Sequence, residues 1–271
     1  MGAAGHDHRR WRRRLRNLRL LIEYDGAAFS GWQLQIGRRT VEGELRRAIR
    51  ELLGEEPRLY AAGRTDAGAH AEGQVANFSY TGRLAPERLR AALNARLPPD
   101  VVILAVDEVG PGFHARYSAR WRHYRYRYLD RPARPALDRG RCWHLRGQVD
   151  VAAMAEAAGC LVGRHDWTTF CSASEPPGDR VRTVREARVV REGRFVDLHL
   201  CAEGFLRGQV RSIAGALAEV GRGRRPPTWV GEILAARDRR LAPRAAPASG
   251  LTLVAVFYGE GLLGEQGVNN S

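Results

Sequence analysis

The chain contains no lysine. All 44 of its basic side chains are arginine, set against 30 acidic ones for a formal charge of +14. Without lysine there is neither a Walker-type phosphate loop nor a Schiff-base catalyst. Sulfur is scarce: two methionines and four cysteines (Cys142, Cys160, Cys171 and Cys201), with no Cys-x-x-Cys pair. No His-Glu-x-x-His occurs either, so no metal site is expected and the cysteines fit a reducing compartment. No apolar run approaches the roughly 18 residues of a membrane span. The basic N-terminus lacks the apolar core of a secretory signal. These absences predict a cytoplasmic protein with no metal and no membrane partner.

What is present is positive charge. The first 19 residues hold seven arginines and Asp7, a net +6, which leaves +8 on residues 20–271. The body is therefore basic in its own right, a surface suited to a polyanion, of which nucleic acid is the commonest in cells. Arginine also forks onto phosphates and stacks on bases better than lysine does. Poor helical periodicity marks residues 1–17 as a disordered arm.

The pattern of apolar residues gives the element order. Residues 18–24 read as a strand ended by Asp25-Gly26, and Thr40 can cap a helix through Leu53 with Leu45, Ala48, Ile49 and Leu52 on one face. Strands near 58–62 and through Val75–Ser79, a helix over 86–96 and a strand over 101–107 follow. The second half repeats the order: strand 120–129, helix 150–162, strands 183–191 and 194–202, helix Phe205–Val220, a short helix near 227–236, and strand 251–257. Two β-α-β-β-α-β units predict an α/β (α+β) fold of paired ferredoxin-like halves, residues 18–112 and 113–258, with a tail at 259–271. A large substrate would lie in the cleft at their seam.

Two constellations carry chemistry. Gly63-Arg64-Thr65-Asp66-Ala67-Gly68-Ala69-His70-Ala71 sets one carboxylate between an arginine and a glycine, the glycines freeing the backbone for positive φ and close approach to a ligand. Asp66 can act as a nucleophile and Arg64 can reach a phosphate or a base edge. Phe113–Arg146 then holds ten arginines against Asp130 and Asp138. Within it Tyr124, Tyr126 and Tyr128 alternate with His123, Arg125 and Arg127 on opposite strand faces. Interleaved rings and guanidinium groups suit unstacked bases and their phosphates, although a tyrosine core face backed by a solvated basic face has the same pattern. Arg207 and Arg211, four apart in the predicted Phe205 helix, should share an acidic neighbour, a carboxylate or a phosphate.

The Asp66 loop resembles the active-site loop of the tRNA pseudouridine synthase A family. So do Glu23-Tyr24-Asp25-Gly26, Gly31-Trp32-Gln33, Asn94–Pro98, Phe113-His114-Ala115-Arg116, Tyr124-Arg125-Tyr126, Gly204-Phe205-Leu206-Arg207, Val210-Arg211 and Ala248-Ser249-Gly250-Leu251. The likeness spans about residues 18–258. It implies the pseudouridine synthase fold, a mixed, largely antiparallel sheet with a central basic cleft, and isomerisation of uridine to pseudouridine in the tRNA anticodon stem-loop by a cofactor-free homodimer. Asp66 then matches the nucleophile, and Arg64 the arginine that fills the gap left by the flipped nucleotide. Tyr124 matches the tyrosine packed on the uracil, a candidate base for the C5 proton. Arg211 matches the partner of the carboxylate and Leu251 an apolar contact to the ring; Arg207 and His70 join the substrate-binding set. The chain departs from the family at Ala69 (commonly valine), Gly208 (commonly histidine) and Ser212 (commonly asparagine). A glycine inside the predicted helix would cost about 1 kcal/mol relative to alanine.

Two rivals explain the charge as well: a non-catalytic RNA-binding protein, and a pseudouridine synthase for another RNA. The first has no need of Asp66.

Overall fold

The computed structural model describes residues 15–259. The predicted basic arm and C-terminal tail lie almost wholly outside the described residues. The first half is β1 (Arg16–Tyr24), α1 (Val41–Leu53), β2 (Tyr60–Ala61), β3 (His70–Tyr80), α2 (Pro86–Asn94) and β4 (Val101–Val109). The second is β5 (Trp121–Leu129), β6 (Trp143–His144), α3 (Val151–Gly159), β7 (Gly163–Asp166), β8 (Val181–Glu192), β9 (Phe195–Ala202), α4 (Gln209–Gly221), α5 (Thr228–Ala236) and β10 (Leu251–Phe257).

Local chemistry accounts for these boundaries. Thr40 accepts from the Gly43 amide at 3.2 Å, Glu42 and Glu44 occupy the positive end of α1, and Gly54 at φ 72° closes it in the left-handed conformation. Asp150 caps α3 in the same manner, at 2.9 Å from the Ala153 amide. Strand β1 buries Leu18, Leu20, Ile22 and Tyr24, each two residues on from the last.

The described strands form one ten-stranded sheet, β4-β1-β3-β10-β5-β9-β8-β7, with β2 beside β3 and β6 beside β5. Each half contributes a ferredoxin-like order: last strand, first strand, then the third beside the second. Pairing is antiparallel except between β5 and β6 and at the seam, where β10 runs parallel to β3 over two pairs, Thr252 with His70 and Leu253 with Ala71. Helix α2 packs on β4, α3 on β8 and α4, and α4 on β5. One continuous core runs beneath both halves.

The structure corrects the sequence expectation in three places. The strand foreseen near 58–62 is two residues long. Strands β6 and β7 were not foreseen, being too short to show alternation. The helix expected from Phe205 begins at Gln209, and Gly208 stands just outside it at φ +70°. Only glycine adopts that conformation without strain, so this glycine suits its place rather than weakening a helix.

Candidate active site

The Asp66 loop is seated against the turn that follows β1. The Trp32 amide donates to the Thr65 carbonyl at 3.1 Å, and the Tyr24 and Thr65 hydroxyls bond at 2.7 Å. The Ala69 amide closes on the Asp66 carbonyl at 3.1 Å, making a type II turn whose third residue, Gly68, has φ +81°. Gly26 lies so close to the Ala69 carbonyl that a Cβ would sit 1.8 Å from its oxygen. The Asp25-Gly26 turn is thus the wall that fixes the loop.

Asp66 is held in place yet open to solvent. Arg211 on α4 donates from Nη1 to Asp66 Oδ2 at 2.9 Å, and the two side chains are 26 % and 28 % exposed. Arg211 Nε donates to the Ala246 carbonyl at 2.7 Å, while the Ala246 amide returns a bond to the Arg211 carbonyl. The guanidinium is therefore aimed before any ligand arrives. Asp66 Oδ1 accepts no hydrogen bond among the described residues, so one carboxylate oxygen is tethered and the other is free to react.

Tyr124 lies near enough to Asp66 to feel its charge. It is buried, edge-on to Phe205 at 5.1 Å, and opposite Leu253 in the β5–β10 ladder. Burial pushes its phenol well above the ordinary range; Tyr24 and Asp66 add to this and Arg122 opposes it. Tyr24 is pushed up to about 12 by burial, against the hydrogen bonds from Thr65 and Gln74. Both are neutral phenols at physiological pH. Leu251 begins β10 opposite Tyr126 and is buried. The side chain of Arg64 is exposed and has no partner among the described residues.

Two predicted site residues are placed differently. Arg207 precedes α4 and turns to the 172–175 loop, where its amide donates to the Glu175 carboxylate at 2.7 Å and its guanidinium to the Ser174 hydroxyl at 3.2 Å. It does not share an acid with Arg211, because the bend at Gly208 separates them. His70 is buried, its Nδ1 accepting from the Gly26 amide at 3.1 Å and its Nε2 donating to the Gly140 carbonyl at 2.8 Å. Both ring nitrogens are occupied within the protein, which makes His70 a tie between two loops.

The arginine–tyrosine strand is corrected too. Tyr126 and Tyr128 are fully buried and donate to the Pro247 and Ala214 carbonyls at 2.8 and 2.9 Å. On the other face Arg125 pairs with Glu72 and Arg127 with buried Asp197, beside a His123–His199 contact at 3.0 Å. That face is an internally paired layer, not a row of free cations, although Arg125 Nε and His199 Nε2 are buried there without a hydrogen-bond partner among the described residues. Sequence reasoning also missed Arg122. It shares the tyrosine face, and its guanidinium donates to the carbonyls of Ala62, Arg116, Ala119 and Glu203. Its even position beside Tyr124 was the available signal: an arginine on a core face must find partners.

Comparison with known proteins follows the same residues. A family model described as tRNA pseudouridine synthase matches residues 20–118 and 157–259. The tRNA pseudouridine synthase A of Geobacillus kaustophilus is 44 % identical over 243 residues, covering 89 % of this chain and 94 % of the relative. That of Moorella thermoacetica is also 44 % identical, covering 89 % and 99 %, and that of Methylocella silvestris 43 %, covering 89 % and 98 %.

Proposed function

The chain belongs to the tRNA pseudouridine synthase family, isomerases acting on uridine in tRNA, and from that membership we propose that Asp66 is its nucleophile and the anticodon stem-loop its target. The observation that carries the proposal is the half-exposed carboxylate with one oxygen on Arg211 and the other free.

In this reading the stem-loop binds through salt-sensitive phosphate contacts. The target uridine leaves its stack at a cost of a few kcal/mol. Unpartnered Arg64 enters the gap and offsets part of that cost. The uracil lies against Tyr124 and Leu251. Asp66 Oδ1 attacks C1′, adds to C6 of the base, or removes a ribose proton to give a glycal; by each route the bond from N1 to C1′ breaks. The uracil turns and C5 bonds to C1′, displacing Asp66 where it is esterified there or, on the glycal route, as Asp66 returns the ribose proton. The C5 proton then passes to water or to a carboxylate oxygen, with expulsion of Asp66 from C6 if the adduct formed there, and the uracil ring is restored. The raised ionisation range of Tyr124 means that the group beside C5 is a phenol rather than a phenolate, which favours packing over proton removal as its main duty. Arg211 holds the carboxylate in position throughout. We read the enzyme as a cytoplasmic homodimer built from halves 18–112 and 113–258.

The test is Asp66→Ala, assayed on tRNA transcripts by mapping pseudouridine. Conversion should vanish while tRNA still binds with the parent affinity. Parent protein that binds tRNA but converts no uridine would establish the RNA-binding rival, and conversion confined to other RNAs would move the substrate.

A further inference from the structure

Outside the catalytic pocket, three rings, tilted 49° and 37° to their neighbours, and two guanidinium groups form a continuous row at the surface. Tyr60 and His114 have ring centroids 4.6 Å apart, and His114 and Tyr117 4.4 Å apart. Arg58 lies over Tyr60 at 5.2 Å and Arg116 over Tyr117 at 5.6 Å. The order is Arg58, Tyr60, His114, Tyr117, Arg116. Neither guanidinium has an acidic partner among the described residues. Tyr117 is 76 % exposed although it ends a row of packed rings.

The arrangement is preorganised. His114 Nδ1 accepts from the Arg116 and Tyr117 amides at 3.2 and 3.4 Å. The His114 amide donates to the Ser118 hydroxyl at 3.0 Å, and the Ser118 amide donates to the His114 carbonyl at 2.9 Å. These bonds fix the turn that presents Tyr117, so little ordering remains to be done when a ligand arrives. The turn is also joined to the catalytic loop. Arg122 donates to the Arg116 carbonyl at 2.6 Å and to the Ala62 carbonyl at 3.0 Å, and Ala62 stands directly before Gly63-Arg64.

We propose that Tyr117, backed by His114 and Tyr60 and flanked by Arg116 and Arg58, is a stacking platform for an unpaired base of the RNA strand that delivers the target uridine. The outer face of Tyr117 is capped only by the exposed Arg116 guanidinium, which a base of any kind can displace or stack on, and the guanidinium groups, which have no acidic partner among the described residues, then hold the adjoining phosphates. A protein partner would ask for a broader apolar patch, and duplex RNA offers no base face to a ring. The consequence is a substrate requirement: a second single-stranded nucleotide, apart from the uridine that reacts. The proposal rests on the substrate being RNA, but it shares no side chain with the Asp66 pocket.

The test places 2-aminopurine at each unpaired position of an anticodon stem-loop in turn and reads its fluorescence on binding the full-length protein. One position other than the target should be quenched by the parent and by Asp66→Ala, and not by Tyr117→Leu. Tyr117→Ala should raise Kd about tenfold, the loss of one base–aromatic stack, with Tyr117→Phe near the parent. At saturating RNA, kcat should stay within about twofold, since the loss is in binding. Unchanged Kd and unchanged quenching in Tyr117→Ala and Tyr117→Leu would overturn the platform. An equal loss of affinity for a fully paired duplex would overturn it as well, because the contact would then be to the backbone. Quenching by a parent that converts no uridine would sink the catalytic reading and leave the platform standing.

Discussion

Arg122→Met is the substitution that probes how the site is held. The thioether chain keeps most of the buried stem and removes the guanidinium. Five hydrogen bonds to four carbonyl oxygens disappear, from Ala62, Arg116, Ala119 and Glu203. Hydrogen bonds to a charged group contribute about 1.5–3 kcal/mol each, and buried acceptors left bare cost about 1–3 kcal/mol each. Much of the gross sum is offset, because an arginine that is only 8 % exposed has already given up most of its hydration. The net loss should be about 3–5 kcal/mol, the cost of about two of the four carbonyls left without a donor once that offset is taken. In urea that moves the midpoint down by about 1–2 M. Arg122→Lys should recover only part of it, since three donors on one nitrogen cannot reach four carbonyls in different directions. Activity should fall further than the folded fraction does, because two of those carbonyls belong to the approach to the Asp66 loop and to the turn before α4. The measurement is a pair of urea titrations with the turnover rate of each variant at matched folded fraction. A loss under about 1 kcal/mol with full turnover would refute the reasoning, for it would mean that water satisfies the four carbonyls as well as arginine does.

Two further outcomes follow from the structure. Gly208→Ala should destabilise by about 1 kcal/mol in a urea titration, because φ +70° is strained for any residue with a Cβ; a gain in stability would place this residue in a helix after all. Burial and neighbouring arginines lower His123 from 6.5 to about 3 and His199 to about 4. Both are neutral when folded, while the unfolded chain protonates them below 6.5. Their contribution is thus whole above pH 6.5 and declines as pH falls toward 4, by on the order of 1–2 kcal/mol per pH unit for the pair. His199→Asn should flatten that slope; a parallel pH–stability curve would show that neither imidazole is responsible.

The elements legible in the sequence were those whose determinants are local. Thr40 with Gly54, and the uninterrupted run Leu251–Phe257, announce their own boundaries. Asp66 and Arg211 stand 145 positions apart, and their pairing came from the resemblance rather than from spacing. What escaped was decided by the far side of each contact. Alternation along β5 separates two faces but does not say which is covered, so Tyr126 and Tyr128 read equally well as a stacking surface and as core. Gly208 looked like a defect because its φ is set by the turn before α4. His70 looked like a ligand contact because the loop holding Gly140 reaches it only in the folded chain. Arg122 pairs with no carboxylate among the described residues, and a cage of carbonyls leaves no trace in composition.

The seam between β3 and β10 has a consequence for how activity arises. Only two residue pairs of backbone join the halves there, and Asp66, the proposed nucleophile, stands on one side while Tyr124, Arg211 and Leu251 stand on the other. Neither fragment of a chain cut between β4 and β5 would carry the complete set of proposed reacting groups. On that proposal activity appears all at once, when the two pieces close on each other, and its recovery during refolding times the moment of that closure.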